Sequence, residues 1–258
     1  MTYKRRTRLA AAVAGAVMLT ATAACGGDEE SKDSSGGSSS EASENGFADK
    51  PIKEIQDAAL TDMKALESVR MAGDITTDGT KMSLDLRLTT SGDCTGSISS
   101  DGAKAEIIGL GEESYLKGSK EFWTQSAGPG GEQQAEALIG LIGDKWAKVP
   151  GGGFTEICDL DAFLDNLDEG DDADAEKEKG EVVGETEIDG TPAVEIVSEE
   201  DGEETTVWIG SEEDKHYILK MEVVGGDEPG QFTFSEFNEP LDVQAPAKDE
   251  VVDLGAAG

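Results

Sequence analysis

Four Asp-Gly pairs, Asp78-Gly79, Asp101-Gly102, Asp189-Gly190 and Asp201-Gly202, constrain this chain more than any other feature. Asp-Gly accepts the positive φ at both central positions of a two-residue type I′ turn, so each pair flanked by strand-like residues predicts a tight antiparallel hairpin. The flanks comply. Val69, Met71, Gly73 and Ile75 alternate with polar residues, as do Met82, Leu84, Leu86 and Leu88. Cys94, Gly96 and Ile98, then Ala105–Ile108 and Tyr115-Leu116, continue the meander. The same period returns late in the chain, in Val194 and Ile196, Val207 and Ile209, Tyr217, Leu219, Met221 and Val223, and Phe232 and Phe234. Period-two alternation presents one apolar face, and that face must be covered.

The cover is predicted to be helical. Ile52, Ile55, Ala59, Met63 and Leu66 follow Asp49 and Pro51 at helical spacing. "EQQAEALIGLIGDKW" places Ala135, Leu138, Ile142 and Trp146 on one face, with Ile139 and Leu141 widening it. "DLDAFLDNLDEG" places Leu160, Phe163, Leu164 and Leu167 on another, with Asp159 as cap and Gly170 as stop. The order of helix, strand meander, helices and second meander predicts an α+β fold with a long, curved antiparallel sheet whose apolar face carries the helices. Residues 168–181 are almost wholly charged and read as a solvated loop with no role assigned, and residues 248–258 as a frayed tail.

Upstream, Lys4, Arg5, Arg6 and Arg8 precede an apolar run from Leu9 to Leu19 and the small residues Thr20–Ala24. That is the layout of a signal peptide spanning 1–24, its apolar core too short for a permanent span. Residues 26–46 hold no large apolar side chain and read as a tether, reaching roughly 25 Å as a coil. Cys25 between them resembles the acylated cysteine of a bacterial lipobox, although Thr22 stands three before it where Leu is usual. Cleavage after Ala21-Thr22-Ala23 would instead release a soluble protein with an odd cysteine. Acylation makes the membrane a partner through Cys25 and puts the chain on the outer face of the plasma membrane, in the cell envelope. In that oxidising compartment Cys94 and Cys158 are expected to pair as a disulfide.

The formal charge is −35, and without the four basic residues of 1–24 only 17 of the 21 basic side chains remain against 56 acidic ones. Such a surface excludes nucleic acid and repels anionic headgroups. Catalytic materials are scarce. The one histidine, His216, is expected to face solvent with Lys220 and Glu222, and no second histidine accompanies it. Asp172, Asp174 and Glu176 begin like a calcium loop, but Lys177 stands where that loop requires glycine. No enzyme, metal or cofactor is expected.

"GDKWAKVP" (143–150), "CDLDAFLDNL" (158–167) and "FSEFNEPLDVQAPA" (234–247) resemble the LppX/LprG family of envelope lipoproteins, related in structure to the LolA and LolB carriers. The resemblance covers roughly 47–247 and rests on turn and packing patterns, with no catalytic signature. It implies a half-barrel sheet closed by helices on its concave face around an apolar cavity that holds lipid acyl chains. The cavity would be lined by Leu84, Leu86, Leu88, Ile107, Leu138, Ile142, Val194, Ile196, Leu219, Met221, Phe232 and Phe234. Those side chains alternatively pack against one another. The expected function is therefore a monomeric membrane-anchored lipoprotein that binds a lipid and carries it. The alternative is a non-catalytic module presenting an acidic face to a wall polymer or a protein partner.

Overall fold

A computed structural model describes residues 46–77, 79–128, 130–149, 158–165, 180–200 and 202–255. The signal segment, Cys25, the tether, Leu167, Gly170 and residues 168–179 of the acidic loop lie outside the described residues.

The chain runs α1 (Ile52–Lys64), β1 (Ser68–Thr77), β2 (Thr80–Thr89), β3 (Cys94–Ser100), β4 (Ala103–Leu110), β5 (Glu113–Gly118), α2 (Lys120–Ser126), α3 (Glu132–Ile142) and β6 (Trp146–Val149). A helical stretch at 160–165 follows. Then come β7 (Glu181–Ile188), β8 (Thr191–Glu200), β9 (Glu203–Gly210), β10 (Ile218–Gly225), β11 (Gly230–Ser235) and β12 (Val251–Asp253). All twelve strands form one open, curved sheet in the order β12-β6-β5-β4-β3-β2-β1-β11-β10-β9-β8-β7. The fold is α+β with the helices on the sheet's apolar face, as the alternation predicts, and it is the half-barrel that the family resemblance implies. Each meander grows by local hairpins, and the two join where β1 pairs with β11, Met71 opposite Phe234 and Gly73 opposite Phe232.

The ladders end in the pairs Thr77 with Thr80, Ser100 with Ala103, Ile188 with Thr191, and Glu200 with Glu203, the residues that flank the four Asp-Gly pairs; Asp78 and Asp201 lie outside the described residues. Asp101 and Gly102 adopt φ of 48° and 82°, and Asp189 and Gly190 50° and 87°, the left-handed pair a type I′ turn requires.

The inner face carries the core. Leu86 sits opposite Met71 on one side and Gly96 on the other, and Gly96 opposite Ile107. Gly73, between Leu84 and Phe232, and Gly96, between Leu86 and Ile107, take inner-face positions between large neighbours, leaving room for the sheet to curl. Helix α1 lays Ile55, Ala59 and Met63 onto this face, its stripe continued by Leu66, and ends with Lys64 at the negative pole of its dipole. The disulfide between Cys94 and Cys158 forms, with Cα atoms 5.4 Å apart. It ties the 160–165 stretch to β3 beneath Leu160 and Leu164, both fully buried, while Phe163 packs on Phe234 with ring centroids 5.9 Å apart. The backbone N–H of Ala162 donates to Asp159 Oδ1, the cap expected there.

Four elements depart from the sequence reading. Helix α3 stops at Ile142, because Gly143 takes φ 60°, so Trp146 opens β6 instead of extending the helical face, and Leu141 is 53% exposed. Helix α2 was not expected. It starts at Ser119, whose Oγ accepts the Phe122 N–H. The last segment, expected to fray from 248, contributes β12, which runs parallel to β6 with Val251 opposite Trp146. Among the described strands this is the one parallel pair, the others being antiparallel. Finally, the pleat of β10 is reset by a bulge between Ile218 and Lys220.

Candidate ligand cleft

Helix α2 is held against β4 and β5 by small residues. The Ser119 N–H donates to the Lys104 carbonyl at 2.7 Å, pinning the helix start to β4. A Cβ on Gly118 would fall 2.5 Å from Phe122 Cδ1 and 2.9 Å from Trp123 Cε2, so only glycine admits the two rings there. Phe122 and Trp123 meet edge to face, centroids 5.3 Å apart. Between this helix and the ends of β2, β3 and β4 opens a cleft of about 230 Å³, lined by Met82, Ile98, Ser99, Ser100, Ala103, Phe122, Gln125 and Ser126. Met82 is 37% exposed, and Ile98 and Phe122 are half-buried. Apolar side chains from two layers thus converge on an open space, with hydroxyls and an amide around it, the composition of a site for a largely apolar ligand. The volume lies below the range of roughly 300–1,000 Å³ usual for drug-sized ligands.

The residues proposed from sequence to line a cavity fall into three groups. Leu86, Leu88, Ile107, Ile142, Val194, Ile196 and Phe234 are buried in the core cluster, as the floor of the concave face. Leu84, Leu138, Met221 and Phe232 are partly exposed and pack on that floor. Leu219 stands apart. The bulge in β10 sends it to a separate, mostly polar pocket of about 410 Å³ with Tyr217, Phe237, Lys215 and Glu236. None of the twelve lines the α2 cleft. Met82 and Ile98 were legible as strand residues but not as a rim, and Phe122 sits on the unexpected helix. A Ser-x-x-Phe start at Ser119 was the available signal.

No protein-family model matches the chain, and no curated protein matches it. Among solved structures, LprF from Mycobacterium bovis superposes with a TM-score of 0.51 at 14% identity, covering 76% of this chain and 97% of LprF. The fold is that of LprF. LppX, a lipoprotein from Mycobacterium tuberculosis, gives a TM-score of 0.46 at 16% identity over 75% of this chain and 98% of LppX. At these identities the LprF likeness concerns architecture, and it agrees with the LppX/LprG-type half-barrel read from the sequence.

Away from the cleft, the LprF-type sheet of this chain turns charged residues outward. Arg70 grips Asp85 with two hydrogen bonds of 2.8 Å, and Arg87 pairs with Glu236. These are the only arginines among the described residues. The Arg70 guanidinium holds the Asp85 carboxyl below the usual carboxylate range, and Ser83, then Lys81, do the same for Asp74. A carboxyl depressed in the folded state contributes stability above its unfolded pKa of about 4, and that contribution disappears as pH falls through the folded value. Asp85→Asn is therefore expected to lower the unfolding free energy at pH 7, read from urea titration, by up to about 1 kcal/mol for a half-exposed pair. As pH falls below the usual carboxylate range, its midpoint should converge with that of the wild type. A constant offset from pH 7 to pH 2.5 would overturn the assignment.

His216 is not the solvent-facing strand residue expected. It precedes β10, so the strand pleat does not govern it. Its side chain is 17% exposed, with Nδ1 2.9 Å from Asp62 Oδ2 of α1 and its ring 4.2 Å from that of Phe47. The same carboxylate oxygen accepts the His216 backbone N–H at 2.8 Å. The histidine thereby locks α1 to the β9–β10 connection. Among the described residues no group of three or more His, Cys, Asp or Glu is placed to hold a metal ion. No described helix is long and apolar enough to cross a membrane.

Proposed function

We propose that this chain is a cell-envelope lipoprotein that binds a lipid by an acyl chain between its sheet and its helices. Cys25 is acylated after removal of residues 1–24, residues 25–46 tether the domain to the outer face of the membrane, and 47–247 is the binding half-barrel. The observation that carries the reading is the apolar rim. Met82, Ile98 and Phe122 remain partly exposed around an open cleft although a packed floor lies beside them. Covering that rim with hydrocarbon is favourable at roughly 25 cal/mol per Å². The LprF-type architecture supports it by furnishing a concave sheet with helices across it. The headgroup stays at the rim, beside Ser99, Ser100 and Gln125, and the anchor keeps the site near its membrane source.

The test is native mass spectrometry of the full chain purified from a lipid-containing bacterial host, followed by organic extraction, which leaves covalent acyl groups in place. One extractable lipid per chain is expected. Ile98→Glu, at the partly exposed rim, should reduce it on the order of tenfold while the domain stays folded, since hydrocarbon cannot solvate a carboxylate. Labelled palmitate should enter the wild type and not Cys25→Ser. A wild type free of lipid, or a folded Ile98→Glu carrying the same load, would overturn the reading.

A further inference from the structure

Arg70 of β1 and Arg87 of β2 stand directly opposite each other on the outer face of the sheet. Like charges at paired positions repel, yet both arginines of the described residues sit at this one pair. Carboxylates make the pairing possible. Asp85 holds Arg70, and Glu236 holds Arg87 and comes within 4.0 Å of Arg70. Across the next ladder, Thr95 lies beside Arg87 and Ser97 beside Asp85. These side chains line a hollow of about 560 Å³. It opens on the face opposite the α2 cleft, since Met71, Leu86 and Ile98 alternate with them along the same strands.

Glu236 also lines the hollow of about 410 Å³ that contains Tyr217, Lys215 and Phe237. The turn shared by the two hollows is held in a sparsely populated conformation. Glu236 and Asn238 have φ of 54° and 59°, in the left-handed region, although neither is glycine. Three hydrogen bonds fix the turn to the start of β1. The Asn238 N–H donates to the Ser68 carbonyl at 2.9 Å, Asn238 Oδ1 accepts the Glu67 N–H at 2.7 Å, and Ser68 Oγ donates to the Glu239 carbonyl at 2.7 Å. Backbone over-determined in this way clusters at ligand clamps, where it preorganises a surface. The side chain presented between Glu236 and Asn238 is Phe237, half-buried and stacked on Tyr217 with ring centroids 4.4 Å apart.

The two hollows carry three basic and four acidic side chains, nearly balanced on a chain of formal charge −35. A guanidinium paired with a carboxylate sets N–H donors beside oxygen acceptors, which complements neighbouring hydroxyls that both donate and accept. An anionic ligand would meet the carboxylates, and a cationic one the guanidiniums. The half-buried rings add a flat apolar surface for C–H groups. We propose that the hollows meeting at Glu236 are adjacent subsites for an uncharged oligosaccharide, its hydroxyls bound by Arg70, Asp85, Arg87 and Glu236 and one sugar ring packed against Phe237. The site is separate from the α2 cleft and does not rest on lipid binding.

The experiment titrates the nitrogen-15-labelled full chain with uncharged hexasaccharides of glucose, mannose, galactose and N-acetylglucosamine. Hexagalacturonate and hexaglucosamine serve as anionic and cationic controls. At least one uncharged hexasaccharide should shift the Asn238 side-chain amide and the Arg70 and Arg87 Nε–H resonances of the wild type. The charged controls should bind on the order of tenfold more weakly. Arg87→Lys keeps the charge and removes the planar fork, and should weaken binding about three- to tenfold, the ratio one net hydrogen bond supplies. Phe237→Ala should weaken it by a similar factor through lost ring contact, with the far-ultraviolet circular dichroism of both variants unchanged. No hexasaccharide moving those resonances, a charged control binding as tightly as the uncharged sugars, or undiminished affinity in both folded variants would overturn the proposal while acyl binding stands.

Discussion

Leu86→Glu should leave the protein unfolded at pH 7. Leu86 is 0% exposed and lies on the inner face between Met71 and Gly96, in the middle of the core cluster. The substitution loses about 2–3 kcal/mol of leucine burial and forces a carboxylate into a site with no cation beside it, which costs several kcal/mol more. Against a total stability of about 5–15 kcal/mol for a domain, that is enough to populate the unfolded chain. Far-ultraviolet circular dichroism and solubility after expression measure it. The pairing geometry makes a weaker outcome informative. A folded Leu86→Glu protein with a wild-type urea midpoint would mean that Leu86 faces a ligand-filled or hydrated space instead of packed side chains. The contrast with Ile98→Glu separates floor from rim on a single sheet face, since Ile98 opposes Leu84 only one inner-face position away.

The second large effect concerns the disulfide. Replacing both Cys94 and Cys158 by alanine should lower stability by about 2–5 kcal/mol. The 64-residue separation corresponds to about 4 kcal/mol of loop-closure entropy in the unfolded chain. For a domain of this size the melting temperature should fall by on the order of 10 °C. Packing argues for the upper part of the range. Both cysteines are almost fully buried, and a Cβ on Gly109 would stand 3.0 Å from the Cys158 Sγ and 3.1 Å from the Cys94 Sγ, so the sheet has been cleared to receive the bridge. Beyond it, the 160–165 stretch is joined to the sheet by an isolated bridge between Thr89 and Asp159 and by Phe163 on Phe234. Its hydrogen-exchange protection should collapse before that of the strands. A double alanine variant melting within about 2 °C of the wild type would refute this account.

Much of the fold was legible because its determinants are local. An Asp-Gly pair fixes a two-residue turn whatever lies elsewhere in the chain, and four of them fixed four hairpins. The stripe of Ile55, Ala59 and Met63 fixed α1 by the same logic of spacing. What escaped was short or remote. Helix α2 has only seven residues, too few for a repeating stripe, and β12 only three, recognisable as a strand because β6 is there to pair with it. Leu219 was assigned by an unbroken alternation that the β10 bulge interrupts. The twelve proposed lining residues include the floor of the concave face yet miss Met82, Ile98 and Phe122, since no period distinguishes a floor position from a rim position on the same face.

The sequence by itself determined the two meanders, the buried stripe of α1, the pairing of Cys94 with Cys158 and the acidic surface, because turn dihedrals, side-chain periodicity and net charge are properties of short segments or of composition. Only the tertiary structure decided that α2 stands over the ends of β2–β4 and that an apolar rim stays open there. Those depend on which helix covers which stretch of a continuous apolar face, and that is set by volume and contact between residues distant in the chain.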